Sequence, residues 1–204
     1  MKQLLDGYRA FKAQRWPEER AHYEELARKG QRPDYLVIAC SDSRSDPATI
    51  FNAGPGELFV IRNVAAIVPP FESDATHHGT SAAIAFAVLN LGVRNILVMG
   101  HAQCGGIAAA LDNRLVAGVP FIGHWIELLE PALEHSAHIR DSEERHMAME
   151  RDCIRLSLEN LMTFPFVAER VNAGRLALDG ARFGIANGRL EVLDSKSGAF
   201  VPVE

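Results

Sequence analysis

Three side chains of this 204-residue chain can grip a divalent ion through sulfur or imidazole: Cys40, and then His101 and Cys104, which are three residues apart. They stand in two short polar runs, Cys40-Ser41-Asp42-Ser43-Arg44 and His101-Ala102-Gln103-Cys104-Gly105-Gly106. Two thiolates and one imidazole form a catalytic zinc set that leaves the fourth tetrahedral position to water. A structural zinc site needs a fourth cysteine or histidine. The one other cysteine, Cys153, falls in a helical stretch at a core-like position. Asp42 and Arg44 flank the first cysteine, and a carboxylate held by a guanidinium is a geometrically specific unit that lysine does not reproduce. Each part alone is common. A cysteine after an apolar strand is ordinarily packed core, a thiol at a helix start can be a redox group, and Asp42 with Arg44 also reads as a surface ion pair. Their conjunction, with each run directly after an apolar strand, selects the metal site.

The elements that must position these runs follow from the apolar pattern. Tyr35 to Ala39 and Asn95 to Met99 are short apolar runs of the kind found in buried parallel strands, and Glu57 to Arg62 is a third strand. Asp46-Pro47 can cap and open a helix. Gly79-Thr80-Ser81 starts another through Leu91, and one more begins near Ile107. Helical stretches follow over Trp125 to His138 and Ser142 to Asn172, the second disturbed by Pro165. Residues 3 to 29 interleave charges with Leu, Tyr, Phe and Trp, predicting one or two helices with a break at Pro17. Asn187-Gly188, between Ala181 to Ala186 and Arg189 to Asp194, signals a hairpin.

Strands alternating with helices predict an α/β fold: a mainly parallel central sheet flanked by helices, with an N-terminal helical arm and a C-terminal hairpin. The length suits one domain over residues 1–204. Sites in such sheets form beyond the carboxyl ends of strands. If the strands ending near residues 40 and 100 are neighbours, Cys40, His101 and Cys104 converge. Gly105 and Gly106 let the backbone pass close to a ligand at a helix start, with Gly105 on the substrate side.

Composition narrows the partners. There are 21 basic and 26 acidic residues, a net charge of −5, which gives no electrostatic basis for nucleic-acid binding. No apolar stretch approaches the roughly 20 residues that span a bilayer. The first residues carry no secretion-signal pattern, and three cysteines make no disulfide framework. A cytoplasmic setting is expected.

Cys-Ser-Asp-Ser-Arg at 40–44, Pro55-Gly56-Glu57-Leu58-Phe59-Val60-Ile61-Arg62-Asn63, and His-x-x-Cys-Gly-Gly at 101–106 together resemble the β-class carbonic anhydrases. The match is strong from about Tyr35 to Ala110 and continues more weakly through Ser157 to Asp194. The resemblance implies one Zn2+ per chain on Cys40, His101 and Cys104, with Asp42 and Arg44 as the catalytic dyad. It implies hydration of carbon dioxide to bicarbonate by zinc-bound hydroxide, and a homodimer, in some members a dimer of dimers, whose N-terminal helices (here about residues 1–30) lie across the partner. It also implies that Asp42 either pairs with Arg44 or swings to the metal as a fourth ligand. Members with a second, regulatory bicarbonate site carry a Trp three residues before the first zinc cysteine. Val37 stands there, which favours the open, plant-like form. Plant-like members also place a Gln before Pro-Gly, where this chain has Gly54, and an apolar residue where it has Ser45. His77 and His78 could relay protons, though a solvated or capping pair is the simpler reading.

Three other readings share these residues: a carbonyl sulfide or carbon disulfide hydrolase on the same scaffold, a non-catalytic zinc- or bicarbonate-binding module, and a thiol redox protein using Cys40 and Cys104. For the hydration reading, the ligand set fixes a pH dependence. Two thiolates cancel the zinc charge that three neutral histidines would leave, so the bound water should ionise at higher pH than in a three-histidine site. Turnover of carbon dioxide should therefore rise into mildly alkaline pH. A rate profile that is flat from about pH 6 to 9 contradicts this.

Overall fold

A computed structural model describes residues 1–73, 77–112 and 116–204. The loop expected between Pro70 and Gly79 lies partly outside them. Two helices open the chain, α1 (Lys2–Gln14) and α2 (Trp16–Lys29), with Pro17 in the first turn of α2, where its missing N–H costs nothing. Neither helix contains a buried residue. They hold each other through a ring cluster of Phe11, Trp16 and Tyr23. The arm meets the body where Leu26 lies against Gly56 and the His22 Nε2 is 2.9 Å from the Pro55 carbonyl oxygen.

The strands are β1 (Tyr35–Cys40), β2 (Leu58–Asn63), β3 (Asn95–His101), β4 (Ala177–Phe183), β5 (Leu190–Leu193) and β6 (Phe200–Pro202). They form one sheet in the order β2-β1-β3-β4-β5-β6. The pairings β1–β2, β1–β3 and β3–β4 are parallel, while β4–β5 and β5–β6 are antiparallel. The expected α/β architecture, with a mainly parallel sheet, helices around it, a helical N-terminus and a C-terminal hairpin, is the observed one. The hinge of the sequence reading, that the strands ending at residues 40 and 101 are neighbours, is also observed: β1 and β3 pair directly.

Alternation along β1 distributes its side chains between two faces. Leu36 and Ile38 enter a core with Val68, Ile84, Ala87, Val88, Ile154, Leu161 and Phe164. Val37 and Ala39 pack with Met99 and Ala181 on the opposite face. Cys40 continues the first face into a third cluster containing Ala65, Ile67, Cys104, Ile107, Ile126, Met149 and Cys153. The face that fills the largest core thus also delivers the first sulfur.

The helices are α3 (Pro47–Ile50), α4 (Gly79–Ala85), α5 (Gly105–Leu111), α6 (Ile122–Glu127), α7 (Glu130–His135), α8 (Ser142–Leu161) and α9 (Pro165–Asn172). Asp46 caps α3 by accepting from the Thr49 N–H at 3.0 Å, as its position before Pro47 suggested. After α4, residues Phe86–Leu91 continue as a π-helical turn that stops at Gly92, in the left-handed region with φ of 69°.

Several boundaries differ from those read in the sequence. The stretch expected as one helix over 125–138 is two, because Pro131 sits in the first turn of α7 and cannot continue α6. Pro165 likewise starts α9 as a new helix. Strand β4 begins at Ala177 instead of Ala181: its Leu-Asp-Gly segment has weak strand propensity, and parallel pairing with β3 overrides it. Phe183 pairs with Leu190, so the hairpin loop spans residues 184–189, with Asn187-Gly188 inside it and Gly188 at φ 66°. Among the described residues no helix is long and apolar enough to cross a membrane.

Candidate metal centre

Cys40 is the last residue of β1 and His101 the last of β3, while Cys104 caps α5. All three side chains are buried, and their ligand atoms lie within 4.8 Å of one another. The Cys40 and Cys104 sulfurs are 3.9 Å apart. Two sulfurs bound to one tetrahedral zinc at about 2.3 Å stand roughly 3.8 Å from each other. The imidazole is oriented as a ligand. His101 Nδ1 lies 2.9 Å from the Ala102 carbonyl oxygen, which can only accept, so Nδ1 carries the hydrogen and Nε2 presents its lone pair. That Nε2 is buried and has no hydrogen-bond partner among the described residues. A buried nitrogen without a partner is costly unless something else binds it, so the donor set and its geometry fit a metal ion.

The sulfurs share protons unequally. The hydrogen bond from Cys104 pulls the Cys40 thiol down against burial, with His101 and the amides of Asp42 and Ala65 adding to the effect. The same hydrogen bond and burial push Cys104 up, opposed by the amides of Ile107 and Gly106 at the start of α5. Burial draws His101 down, but the nearby Cys40 sulfur, the Ala102 carbonyl and the charge of Asp42 leave it raised.

Asp42 and Arg44 form a forked pair next to this centre: Nε to Oδ1 at 3.0 Å and one terminal nitrogen to Oδ2 at 2.8 Å. The Arg44 N–H adds a third bond to Oδ1 at 2.9 Å, because Asp42 caps the short 3₁₀ turn Ser43–Ser45. Bonding by the Arg44 side chain, then by its amide, holds the Asp42 carboxyl far below the usual carboxylate range. Asp42 Oδ2 is 3.9 Å from His101 Nε2, so the dyad adjoins the ligand atoms.

The other residues singled out from sequence fall as follows. Gly105 begins α5, exposed, with open space where a Cβ would stand. Gly106 does not face a ligand. A Cβ there would lie 2.8 Å from Val64 Cγ1 and 2.9 Å from Ala65 Cβ, so its lack of a side chain serves close packing of α5 on the 64–66 turn. Val37 is buried core. Gly54 donates its N–H to Glu57 Oε2 at 2.9 Å. Ser45 is fully buried and donates to the Asp42 carbonyl at 3.1 Å. His77 is exposed, and His78 Nε2 is 3.6 Å from Glu72. Cys153 is buried core, its thiol pushed up to about 12 by burial.

One residue that sequence reasoning left without a role is Arg62. At the end of β2 its guanidinium donates to the Cys40 carbonyl at 2.7 Å, the Asp42 carbonyl at 2.7 Å and Asp46 Oδ1 at 2.8 Å. One side chain thus ties the backbone on both sides of Ser41. The available signal was an arginine closing an otherwise apolar strand.

The family model described as carbonic anhydrase matches residues 35–190. The chain is 35% identical over 205 residues to β carbonic anhydrase 3 of Arabidopsis thaliana, covering 97% of this chain and 79% of that protein. It is 37% identical over 203 residues to a carbonic anhydrase of Pseudomonas aeruginosa, covering 98% and 91%. The solved structure of the β-carbonic anhydrase CcaA superposes with a TM-score of 0.92 at 32% identity, over 100% of this chain and 99% of that one. A tetrameric β-carbonic anhydrase of Sordaria macrospora gives 0.83 at 32% identity, over 94% and 95%. The chain belongs to the β-carbonic anhydrase family, and it is an enzyme of that family.

Replacing Arg62 with Met strands two backbone carbonyls and the Asp46 carboxylate, at an expected cost of about 2 kcal/mol. That corresponds to a loss of roughly 4–8 °C in the melting temperature for a chain of this size. An unchanged melting curve would show that water replaces the guanidinium freely.

Proposed function

We propose that the chain catalyses the reversible hydration of carbon dioxide to bicarbonate and a proton, using one zinc ion held by Cys40, His101 and Cys104. The observation that carries this reading is the buried group of two sulfurs and one free imidazole nitrogen within 4.8 Å, in a chain of this family. When bound, zinc supplies hydroxide near neutral pH by lowering the pKa of water from about 15.7 towards 7. Asp42, kept ionised by Arg44, is the acceptor that orients the attacking oxygen through a hydrogen bond and leaves its lone pair for the carbon. One C–O bond forms, one C=O bond opens, and one proton leaves to solvent. Arg44 positions Asp42 and, by holding it, keeps it off the metal position. The apolar cluster of Ala65, Ile67 and Ile107 around the sulfurs lowers the local polarity and strengthens each charge interaction there. Gly105 borders the open, substrate side. Gly54 has no side chain to reach the substrate, so a polar contact at that place comes from water or a second copy.

The same reading includes assembly as a dimer, or a dimer of dimers, of single-domain chains, and a cytoplasmic setting that keeps the three free cysteines reduced. Helix α1 exposes Leu4, Leu5 and Tyr8, and a second copy is the surface they cover. Removing residues 1–30 should halve the mass seen by light scattering. An unchanged mass would place the interface elsewhere.

The activity is tested by metal content together with stopped-flow hydration. One zinc per chain and hydration lost with a chelator and restored by zinc is the expected result. Stoichiometric zinc with no hydration at alkaline pH points to a binding module, and faster hydrolysis of carbonyl sulfide than hydration of carbon dioxide points to that substrate. Arg44→Ala should keep its zinc and lose roughly 100-fold in turnover. Near-normal turnover would remove the dyad from the mechanism.

A further inference from the structure

Gln103, between the two ligands of the second turn, has φ of 55°. This left-handed conformation costs a non-glycine residue about 1 kcal/mol or more, so something must hold it. Two groups do. Its N–H donates to Glu150 Oε1 at 2.6 Å, and its carbonyl lies 3.4 Å from a terminal nitrogen of Arg44. We propose that Glu150 is a positioning residue for the metal centre: its buried carboxylate clamps the Gln103 backbone and so fixes how His101 and Cys104 aim at one point. This rests on the zinc reading above.

Glu150 lies on α8 and is 3% exposed. Its second oxygen is held by Arg182 of β4, through Nε at 2.7 Å and a terminal nitrogen at 2.6 Å. His146, one turn earlier on α8, brings Nε2 to 3.3 Å from Oε1. Arg182 in turn lies 3.5 Å from Glu191, which also binds Arg151 at 2.9 Å. Burial works against ionisation of Glu150, but His146 and Arg182 outweigh it, so the carboxylate stays charged and both oxygens accept.

A chain of contacts therefore runs from the sheet through Arg182, Glu150 and Gln103 to Arg44 and Asp42. Stability of the fold does not by itself require it, since replacing a buried ion pair with well-packed apolar residues of like volume is often neutral. What the pair does supply is one fixed acceptor behind a strained ligand turn. Two glycines make that reach possible. A Cβ on Gly100 would lie 2.9 Å from Ile154 Cδ1, and one on Gly180 would lie 2.7 Å from Ile154 Cγ2. Both strands are thus pared back where α8 crosses, one turn after Glu150.

Two double variants isolate the clamp. Glu150→Gln with Arg182→Leu removes the ion pair but keeps an oxygen for the Gln103 N–H. Glu150→Met with Arg182→Leu removes both. Any general cost of losing the ion pair is common to the two. The zinc dissociation constant, read by competition with a chromogenic chelator, should rise about 10- to 100-fold in the Met pair and stay within about threefold of wild type in the Gln pair. The visible spectrum of the cobalt-substituted protein should change only in the Met pair. In metal-free protein, the Gln103 amide should exchange its hydrogen faster only in the Met pair. Equal zinc affinity, spectra and exchange in the two overturn the proposal, whatever their melting temperatures. If exchange separates them but wild type takes up no zinc through its thiolates, the clamp stands and the zinc reading fails.

Discussion

The structure depends on the parallel pairing of β1 with β3. Parallel neighbours end on the same edge of a sheet, so the residues that close them face a common space. Cys40 and His101 are those closing residues. Cys104 joins them because α5 starts directly after it, at Gly105, and turns its first amides towards the sulfur. A register slip of one residue in either strand would turn its closing residue to the opposite face. The core formed by Leu36, Ile38, Ile96 and Val98 sets the register and therefore sets the site.

Pairing brings the strand ends that carry Cys40 and His101 together but does not shape the turns after them. Irregular backbone at a site needs polar partners for its amides and carbonyls. Arg62 supplies them to the first turn, Ser45 adds a buried hydroxyl, and Asp42 caps the 3₁₀ turn with the carboxylate that also holds Arg44. In the second turn His101 Nδ1 is engaged by the Ala102 carbonyl and Gln103 by Glu150. The functional groups are few, and the groups that hold them still are more numerous.

Close approach of backbones is the other device. Gly106 brings α5 onto the turn that carries Ala65, whose φ of 65° is itself unusual for a residue with a Cβ. Gly100 and Gly180 do the same for α8 against β3 and β4. Small residues at these crossings let rigid elements, instead of long loops, bear on the site, which favours fixed geometry around a metal.

The sequence alone determined the parallel strands β1, β2 and β3, the α/β class, the Cys40, His101 and Cys104 group, the Asp42–Arg44 pair and the Asp46 cap, because each is written in local chemistry: apolar runs, a capping residue before proline, donor atoms after a strand. It did not disclose where β4 begins, since Ala177 to Gly180 has poor strand propensity and is held by its neighbour β3. Nor did it disclose β6, a short edge strand closed by Pro202. Glu150 and Arg182 left only a faint mark, charged residues set within apolar periodic patterns. Only the tertiary structure decided their meaning. A carboxylate 47 residues away along the chain from the amide it holds acquires a role through packing, and packing is not a property of any local stretch.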